Sequence, residues 1–389
     1  MAKLIDITGK AIAGEWGTDD DNGTGIPVLR TTNFTNEGIV DFSNVVTRTI
    51  TKRNIAEKYL RHGDIIIEKS GGSDKQPVGR VIFFEGPEQK YLFNNFTGLL
   101  RVRDSSKWLP RYIFYTLFAR YRSGGTRAFE NRTTGLHNLQ TDAYVNSVDV
   151  ADKALNQQHL ICDVLDRINQ IIAERRQQLS ALDNLIKARF VELFGECKTS
   201  CPASSFMSDL RNGVSPSTSG KIHAKVLTLS AITQGKFDPD MWKDGLFDED
   251  PPADKRITAT DFYMCRGNGN KKLVGAGVCS ATDREDLVFP DTVIAAHVDT
   301  SQVSLPYLFV AWMLPEVRDQ IEAGARTTNG TFKINQQIIS RIKVPIPPIE
   351  LQNQFATFIA QIDKSKFSIM ASFPLLKRLP VYQRQEWTI

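Results

Sequence analysis

Basic, amide and hydroxyl side chains are concentrated in glycine-containing loops, and they recur at matching places in the two halves of the chain. Lys and Arg bind phosphates, whereas Arg, Asn, Gln and Thr also bond to base edges in the major groove of DNA. The pattern therefore predicts contacts with DNA. The predicted DNA-binding residues are Arg30, Thr32, Asn33, Lys69, Ser73, Lys75, Arg132 and Thr133 in the first half, and Arg266, Asn268, Lys271, Lys272, Arg326 and Thr327 in the second.

The charge distribution is local rather than global. The formal net charge is only +4, whereas the stretch from Arg101 to Arg132 holds eight basic side chains and two acidic ones. A solvated charged face is the alternative for any single arginine, and Gly and Ser also make ordinary turns. Recurrence of the basic loops in both halves favours nucleic-acid binding.

Motifs for nucleotide chemistry are missing from the sequence. Gly220-Lys221 is followed by Ile222 and lacks the upstream glycine of a phosphate-binding loop. Gly267-Asn268-Gly269 lacks the third glycine of a dinucleotide fingerprint. The sequence therefore predicts no nucleotide cofactor site on this chain.

Residues that could bind a metal or act as acid and base are scattered. Glu68 and Lys69, which follow Asp64, resemble part of a nuclease cluster, but consecutive strand residues point to opposite faces. The five histidines and five cysteines show no metal-binding spacing, and the odd number of cysteines predicts free thiols in a reducing cytosol. No catalytic residue and no metal site are predicted.

The composition is that of an ordinary globular protein. Hydrophobic residues make up 41% and charged residues 24% of 389 residues, enough for two or three domains. The first residues lack the apolar segment of a signal peptide, and the run from Leu305 to Leu314 is too short to span a bilayer. A cytoplasmic protein without a membrane partner is expected.

One long helix must separate the two sets of loops. No Pro or Gly occurs from Leu155 to Phe194, and Gly195 stands where a C-terminal cap belongs. Apolar residues recur every three or four positions, which is typical of a coiled-coil seam about 60 Å long. The predicted coil or subunit interface comprises Ile161, Leu165, Ile168, Ile172, Leu179, Leu182, Ile186 and Phe190, with Phe355, Phe358 and Ile362 on a second helix. A core helix of a large domain is the alternative.

The order of sequence features before the helix recurs after it, at an offset that stays between 194 and 197 residues. The stretch from Asp261 to Gly269 matches Asp64 to Gly72, and Arg326-Thr327-Thr328 matches Arg132-Thr133-Thr134. This predicts an α+β fold with two similar strand-rich domains, separated by long helices that pair as an antiparallel coiled coil. The predicted boundaries are 1–150 for the first domain, 151–196 for the central helix, 197–345 for the second domain and 346–389 for the second helix with its tail.

The chain resembles the specificity subunit of a Type I restriction–modification enzyme over almost its whole length. The segments that carry the resemblance are Gln158 to Gly195, above all Leu182 to Gly195, and Val344 to Gln352. The resemblance implies two target-recognition domains, each of which binds one half of a split DNA sequence.

The resemblance also implies partners. Two modification subunits would bind S-adenosylmethionine and methylate adenine, and restriction subunits would use ATP and Mg²⁺ to translocate and cut DNA. This chain would then supply recognition of double-stranded DNA and scaffolding, with no cofactor and no catalysis of its own.

The end of the chain departs from the family pattern. The helical pattern fades after about Phe367, and Pro374 and Pro380 predict that no continuous helix follows. A shortened second helix would leave part of the seam exposed. This leaves open a second hypothesis, a partnerless or decoy DNA-binding protein of the same fold; a free-standing methyltransferase or nuclease is disfavoured by the missing motifs.

Overall fold

The computed structural model describes residues 1–74, 76–133, 136–197, 199–328 and 330–377; for residues 132, 133, 328 and 372–377 it describes only the backbone. The chain forms two compact units. The first comprises Met1–Arg176 together with the end of the last helix, from Ala371, and the second comprises Gln177–Met370. The boundary between Arg176 and Gln177 lies inside a long helix.

The first unit is built from short strands and three helices that precede the long one. Its strands are β1 (Ala2–Lys3), β2 (Ile12–Ala13), β3 (Thr18–Asp19), β4 (Ile26–Leu29), β5 (Val46–Thr49), β6 (Ile65–Glu68), β7 (Ser70–Gly72), β8 (Val81–Phe83), β9 (Leu92–Phe93), β10 (Thr97–Leu100), β11 (Glu130–Thr133), β12 (Leu136–Leu139) and β13 (Asp149–Val150). Its helices are α1 (Leu4–Thr8), α2 (Pro110–Arg122) and α3 (Thr141–Ser147), followed by α4 (Leu155–Phe194).

Within the described residues, the strands of the first unit form two four-stranded sheets, a three-stranded ribbon and the two-stranded sheet β1-β13. The sheet orders are β2-β10-β6-β8 and β3-β5-β4-β9, and the ribbon order is β11-β12-β7. The β-branched strand β6 is buried on both faces. Ile65 and Ile67 pack in the cluster that contains Ile113 of α2, whereas Ile66 packs with Leu29 of the other sheet. A strand covered on both sides needs apolar residues at every position, which explains the unbroken Ile run.

The second unit has the corresponding elements. Its strands are β14 (Ser200–Pro202), β15 (Met207–Asn212), β16 (Ile222–Leu227), β17 (Trp242–Phe247), β18 (Arg256–Ile257), β19 (Asp261–Cys265), β20 (Gly267–Asn268), β21 (Gly277–Cys279), β22 (Arg284–Val288), β23 (Val293–Val298), β24 (Arg326–Thr328), β25 (Thr331–Lys333) and β26 (Lys343–Pro345). Its helices are α5 (Ser230–Thr233), α6 (Leu305–Ala311), α7 (Pro315–Gly324), α8 (Gln336–Arg341) and α9 (Ile349–Lys377).

Sheet topology repeats between the units, which confirms the predicted α+β fold with two similar strand-rich domains. The sheet β15-β23-β19-β21 has the order of β2-β10-β6-β8, and the ribbon β24-β25-β20 has the order of β11-β12-β7. Strand β19 begins 196 residues after β6, and β21 begins 196 residues after β8. Each domain also closes on itself, because Ala2 pairs with Val150 in the first and Ser200 pairs with Pro345 in the second.

The long helix α4 spans Leu155–Phe194, as the uninterrupted sequence predicts. Its two ends pack against strand-rich domains. In the first unit Leu165 is buried in the core beside α2, and Asp166 accepts hydrogen bonds from Arg111 and Tyr115 of that helix. In the second unit Phe190 stacks on Tyr307 of α6 with ring centroids 5.6 Å apart. The predicted seam residues Leu165 and Phe190 therefore belong to domain cores as well.

Within the second unit, α9 runs antiparallel to the last part of α4. Later residues of α9 meet earlier residues of α4: Phe355 with Phe190 and Phe194, Phe358 with Arg189, and Lys366 with Asp183. The predicted antiparallel pairing is confirmed for this part of the chain. Phe355 and Ile362 are buried and Phe358 is half-buried, so the helix turns its apolar stripe towards α4 and the domain core.

The predicted early end of α9 is wrong. The helix continues ten residues beyond Phe367 and passes through Pro374 to Lys377. A proline inside a helix removes one hydrogen bond and costs about 3 kcal/mol, a local penalty that does not forbid helix on both sides. The expected exposure of the seam is wrong for Phe190, which is buried, and for Ile186, which packs against the second core. Leu179 and Leu182 are half-buried. Pro380 lies outside the described residues.

None of the helices in the described part of the chain is both long and apolar enough to cross a membrane.

Candidate nucleic-acid interface

The ribbon of the first unit brings together two predicted loops that are about sixty residues apart in sequence. In the ribbon, β12 is the central strand: His137 pairs with Arg132 of β11 on one side and with Gly72 of β7 on the other. The backbone of Arg132-Thr133 on β11 is therefore separated only by the central strand β12 from β7, which follows Lys69. The side chains of Arg132 and Thr133, and the whole of Lys75, lie outside the described residues.

The second ribbon repeats this arrangement. Lys333 of its central strand pairs with Arg326 on one side and Gly267 on the other, and Phe332 pairs with Thr327 and Asn268. Arg326, Thr327 and Lys333 are exposed. The ribbon therefore carries the two predicted loops on its outer strands, with Lys333 on the central strand between them.

A partly buried arginine, Arg80, fixes the loop that follows β4 beside β6. Arg80 donates to the carbonyl oxygens of Phe34 (2.8 Å) and Thr31 (2.9 Å), and it pairs with Glu68 Oε1 at 3.2 Å. Burial raises the pKa of Glu68, and Arg80 opposes that rise. The guanidinium thus joins the Thr31–Asn33 turn to the strand that leads into the first ribbon.

The turn of the first ribbon also adjoins the loop after β4. Ser73 and Gln76 close a tight turn, with the Ser73 N–H donating to the Gln76 carbonyl at 2.7 Å. The amide of Gln76 lies 3.5 Å from Asn36 Oδ1. The first unit thereby places two predicted stretches, one with Thr32 and one from Lys69 to Ser73, on neighbouring loops.

The predicted lysines of the second unit stand on a rigid turn. Asn270 caps the turn by accepting the Lys272 N–H at 3.1 Å, and Arg318 donates to the carbonyls of Lys272 and Val274. The side chains of Lys271 and Lys272 are exposed. The backbone under these two cations is therefore already ordered.

Comparison with known proteins gives a match in structure alone. No family model matches this chain, and no curated protein matches it. The S subunit of a Type I restriction–modification system from M. genitalium is similar in structure, with 12% identity, a TM-score of 0.57 and coverage of 97% of this chain and 92% of that one. A chain from a structure on complex assembly and conformational transition of the type I R-M system has 14% identity, a TM-score of 0.54 and coverage of 98% and 95%.

The chain has the fold of these proteins. The similarity extends over nearly the full length of both, so it includes the two strand-rich domains and the long helices.

Among the predicted contacts, Asn33 has a structural role. Its side chain is buried, with Oδ1 accepting from the Arg30 N–H at 2.9 Å and Nδ2 donating to the carbonyls of Asp41 and Asn44 at 3.0 Å. These bonds use both ends of the amide inside the protein, which disfavours the predicted DNA contact at Asn33. Thr32 beside it is exposed.

Two further predicted cations are partly engaged by the protein. Arg266 donates to the Asp291 carbonyl at 3.0 Å and lies 3.8 Å from its carboxylate. Lys69 is half-buried, and burial lowers the pKa of its amine, while the nearby charge of Asp142 opposes that shift. Each contact with DNA at these positions would replace or extend an existing interaction.

Part of the basic excess between Arg101 and Arg132 is paired with carboxylates from other segments. Arg101 binds Asp64 through two bonds of 2.7 and 2.6 Å, and Arg111 binds Asp166 at 2.7 Å. The acidic partners come from other segments, so counting charges within one stretch overstated the surface charge.

The carboxylates that resembled a nuclease cluster are held apart by different arginines. Asp64 pairs with Arg101 and Glu68 pairs with Arg80. In the described part of the chain no group of three His, Cys, Asp or Glu side chains is placed to hold a metal ion.

Sequence reasoning missed Lys333 and Arg80. Lys333 follows the Arg326-Thr327 loop on the return strand, so the hairpin pattern could have pointed to it. Arg80 gives no such signal, because its partners Thr31 and Phe34 are more than forty residues away.

Proposed function

We propose that this chain is the DNA-recognition component of a Type I restriction–modification complex. Each strand-rich domain binds one half of a split DNA sequence, and the chain also scaffolds modification and restriction subunits. The observation that carries the proposal is the repeated three-stranded ribbon, which in each domain joins two polar and basic loops. Two similar binding domains in one chain suit a target with two separated halves.

The partners supply the chemistry in this proposal. Modification subunits bind S-adenosylmethionine and methylate adenine, and restriction subunits use ATP and Mg²⁺. The chain itself binds double-stranded DNA in the cytoplasm and needs no cofactor. Similarity to a chain from a structure on assembly of the type I R-M system supports a scaffolding role.

An exchange of the first domain tests whether each domain recognises its own half of the DNA sequence. Residues 1–150 are replaced by the matching domain of a chain of the same fold with a different target, and methylated adenines are mapped in cells that carry the complete system. We expect one half of the recognised sequence to change and the other half to remain. A change in both halves of the recognised sequence, or in neither half, would contradict independent recognition by the two domains.

The ribbon itself is tested with Arg326→Ala and Lys333→Ala in the assembled complex. A lost phosphate contact weakens binding to all sequences alike and lowers the salt slope by about one. A lost base contact costs about 1–3 kcal/mol and relaxes one position of the site. Asp319→Ala, on α7, is the surface control. Unchanged affinity and salt dependence in both ribbon variants would show that the ribbon does not touch DNA.

Incubation of the isolated chain with labelled S-adenosylmethionine and DNA separates recognition from catalysis, because label in the DNA would require a methyltransferase site on this chain. Co-purification with a modification subunit separates the proposal from the decoy hypothesis. The main ground for a decoy was a shortened last helix, and α9 extends to Lys377.

A further inference from the structure

An exposed aromatic ring stands beside the first ribbon. Phe96 lies in the turn between β9 and β10, and its side chain is 52% exposed. Single exposed apolar residues are common on protein surfaces. Three observations set Phe96 apart: the rigidity of its turn, its cross-strand neighbour and its replacement in the second repeat.

The turn that carries Phe96 is held by buried polar groups. Thr97, fully buried, donates through Oγ1 to the Asn94 carbonyl at 2.8 Å and through its N–H to the same oxygen at 3.1 Å. The Phe96 carbonyl accepts from the N–H groups of Lys69 (2.8 Å) and Ser70 (3.3 Å). The backbone is therefore ordered before any ligand arrives, which lowers the entropic cost of a contact through the ring.

The backbone of Phe96 lies next to that of Lys69. Thr97 pairs with Glu68 at the end of the antiparallel ladder. Just beyond that pair, the Phe96 carbonyl accepts from Lys69 and Ser70. Phe96 thus stands where β6 leads into β7 of the ribbon.

The second domain keeps this turn but not the ring. The Val293 N–H donates to the Pro290 carbonyl at 2.9 Å, and the Arg266 N–H donates to the Thr292 carbonyl at 2.8 Å, as Lys69 does to Phe96. Thr292 therefore occupies the place of Phe96. Because the turn forms with a threonine there, the fold does not require an aromatic residue at this position.

We propose that Phe96 is a specificity-determining residue that makes an apolar contact with the C5 methyl group of a thymine in the half-site bound by the first domain. The inference rests on the proposed DNA recognition. Thymine presents this methyl group in the major groove, where it distinguishes A·T from G·C pairs. Phe96 is 52% exposed, so part of the residue is accessible for an apolar contact. Thr292 gives the second domain no equivalent contact.

The experiment replaces each thymine of the first half-site in turn by deoxyuridine, which lacks the methyl group, and measures Kd for the complex assembled with its modification subunits. At one position we expect about a fourfold loss of affinity, the effect of removing about one buried methyl group. In Phe96→Thr, which carries the residue of the second domain, the same replacement should have no effect. Phe96→Leu should keep part of the sensitivity. Ile39→Thr, at another exposed apolar residue of the first domain, should keep all of it.

Two results would overturn the inference. In the first, replacing thymine by deoxyuridine leaves the affinity of the wild-type complex unchanged at every position of the half-site. In the second, Phe96→Thr weakens binding to the same extent with thymine and with deoxyuridine, as the loss of a side chain inserted between bases would. The reference is the Kd for DNA in which both half-sites carry unmodified thymine, and the second half-site stays unmodified throughout. If the wild-type complex shows no sequence-dependent binding at either half-site, the proposed function itself fails, which distinguishes the two failures.

Discussion

Gln158 and Gln352 make the same three hydrogen bonds at the same place in the two repeats. Gln158 is fully buried in the first turn of α4. Its Oε1 accepts the Leu109 N–H at 2.9 Å, and its Nε2 donates to the carbonyls of Lys107 and Lys153, both at 2.9 Å. One side chain thus ties the start of the long helix to the loop that enters α2.

Gln352 does the same in the first turn of α9. Its Oε1 accepts the Ser304 N–H at 2.9 Å, and its Nε2 donates to the carbonyls of Gln302 (3.1 Å) and Pro347 (2.8 Å). The bonded loop enters α6, the counterpart of α2. The sequence repeat is therefore reproduced in individual hydrogen bonds within each domain.

Replacing either glutamine by methionine should loosen the attachment of the helix to its own domain. The change keeps the volume but leaves buried backbone groups without partners, which costs about 1–3 kcal/mol. Hydrogen exchange of the first turn of α4 for Gln158→Met, and of α9 for Gln352→Met, measures the loss locally. The exposed neighbours Gln157→Met and Gln354→Met are the controls, and equal exchange in all four variants would contradict a role for the buried amides.

Sequence reasoning placed these glutamines in register but could not give their bonds. The offset of 194 residues between Gln158 and Gln352 is visible in the sequence, and so is the end of α4, because no Pro or Gly occurs from Leu155 to Phe194 and Gly195 follows. Burial of an amide depends on which loop covers it. That loop comes from about fifty residues away, and no local pattern reports it.

Long-range contacts also weaken two inferences about the candidate site. Asn33 was predicted from its residue type and loop position, but its amide is used by carbonyls eight and eleven residues away. The charge of Arg101 was counted, but its partner Asp64 lies 37 residues earlier. Residue type indicates what a side chain is able to bind, whereas tertiary contacts decide what it does bind.

Phe355 should be a main stabilising residue of the helix pair in the second unit. It is fully buried, and its ring centroid lies 5.5 Å from those of Phe190 and Phe194. Phe355→Ala should cost about 3–5 kcal/mol, as expected for a large ring removed from a core. Phe367→Ala on the same helix, where the side chain is 75% exposed, should change stability by less than about 0.5 kcal/mol.

Hydrogen exchange of α9 amides in the two variants measures the difference, because the chain has more than one unit and one global unfolding midpoint would mix them. Similar protection in Phe355→Ala and Phe367→Ala would show that the ring cluster adds little to the pairing.

Glu68 should make the stability of the first domain depend on pH. Burial raises its pKa above the ordinary value of 4.5, despite the nearby Arg80. A carboxyl with a raised pKa in the folded state stabilises the fold below its unfolded pKa, and that contribution is lost as pH rises through the folded value. Glu68→Gln removes the titration and keeps an acceptor for Arg80, so the variant should gain stability relative to wild type as pH rises from below 4.5 towards 7.

The measurement is hydrogen exchange of the β6 amides in both proteins, corrected for the intrinsic effect of pH. The quantity to compare is the difference in stability between Glu68→Gln and wild type at each pH. A difference that stays the same at every pH would report only the altered pairing with Arg80. Glu57→Gln, at an exposed position of the same domain, should show no such trend. A difference that is constant over the range would mean that burial does not penalise the Glu68 carboxylate.

The long helix α4 should set the distance between the two halves of the DNA target. Four residues inserted after Gln177 lengthen it by about 6 Å and turn the following residues by about 40°, so the apolar stripe keeps nearly its original side. Base pairs are stacked about 3.4 Å apart, so the preferred spacer should grow by one or two base pairs. Methylation mapping in cells that carry the complete system gives the spacer directly. Four residues inserted after the exposed Gly235, within the second domain, should leave it unchanged. Methylation at the old spacing and at an undiminished rate after the helix insertion would show that another part of the complex sets the gap.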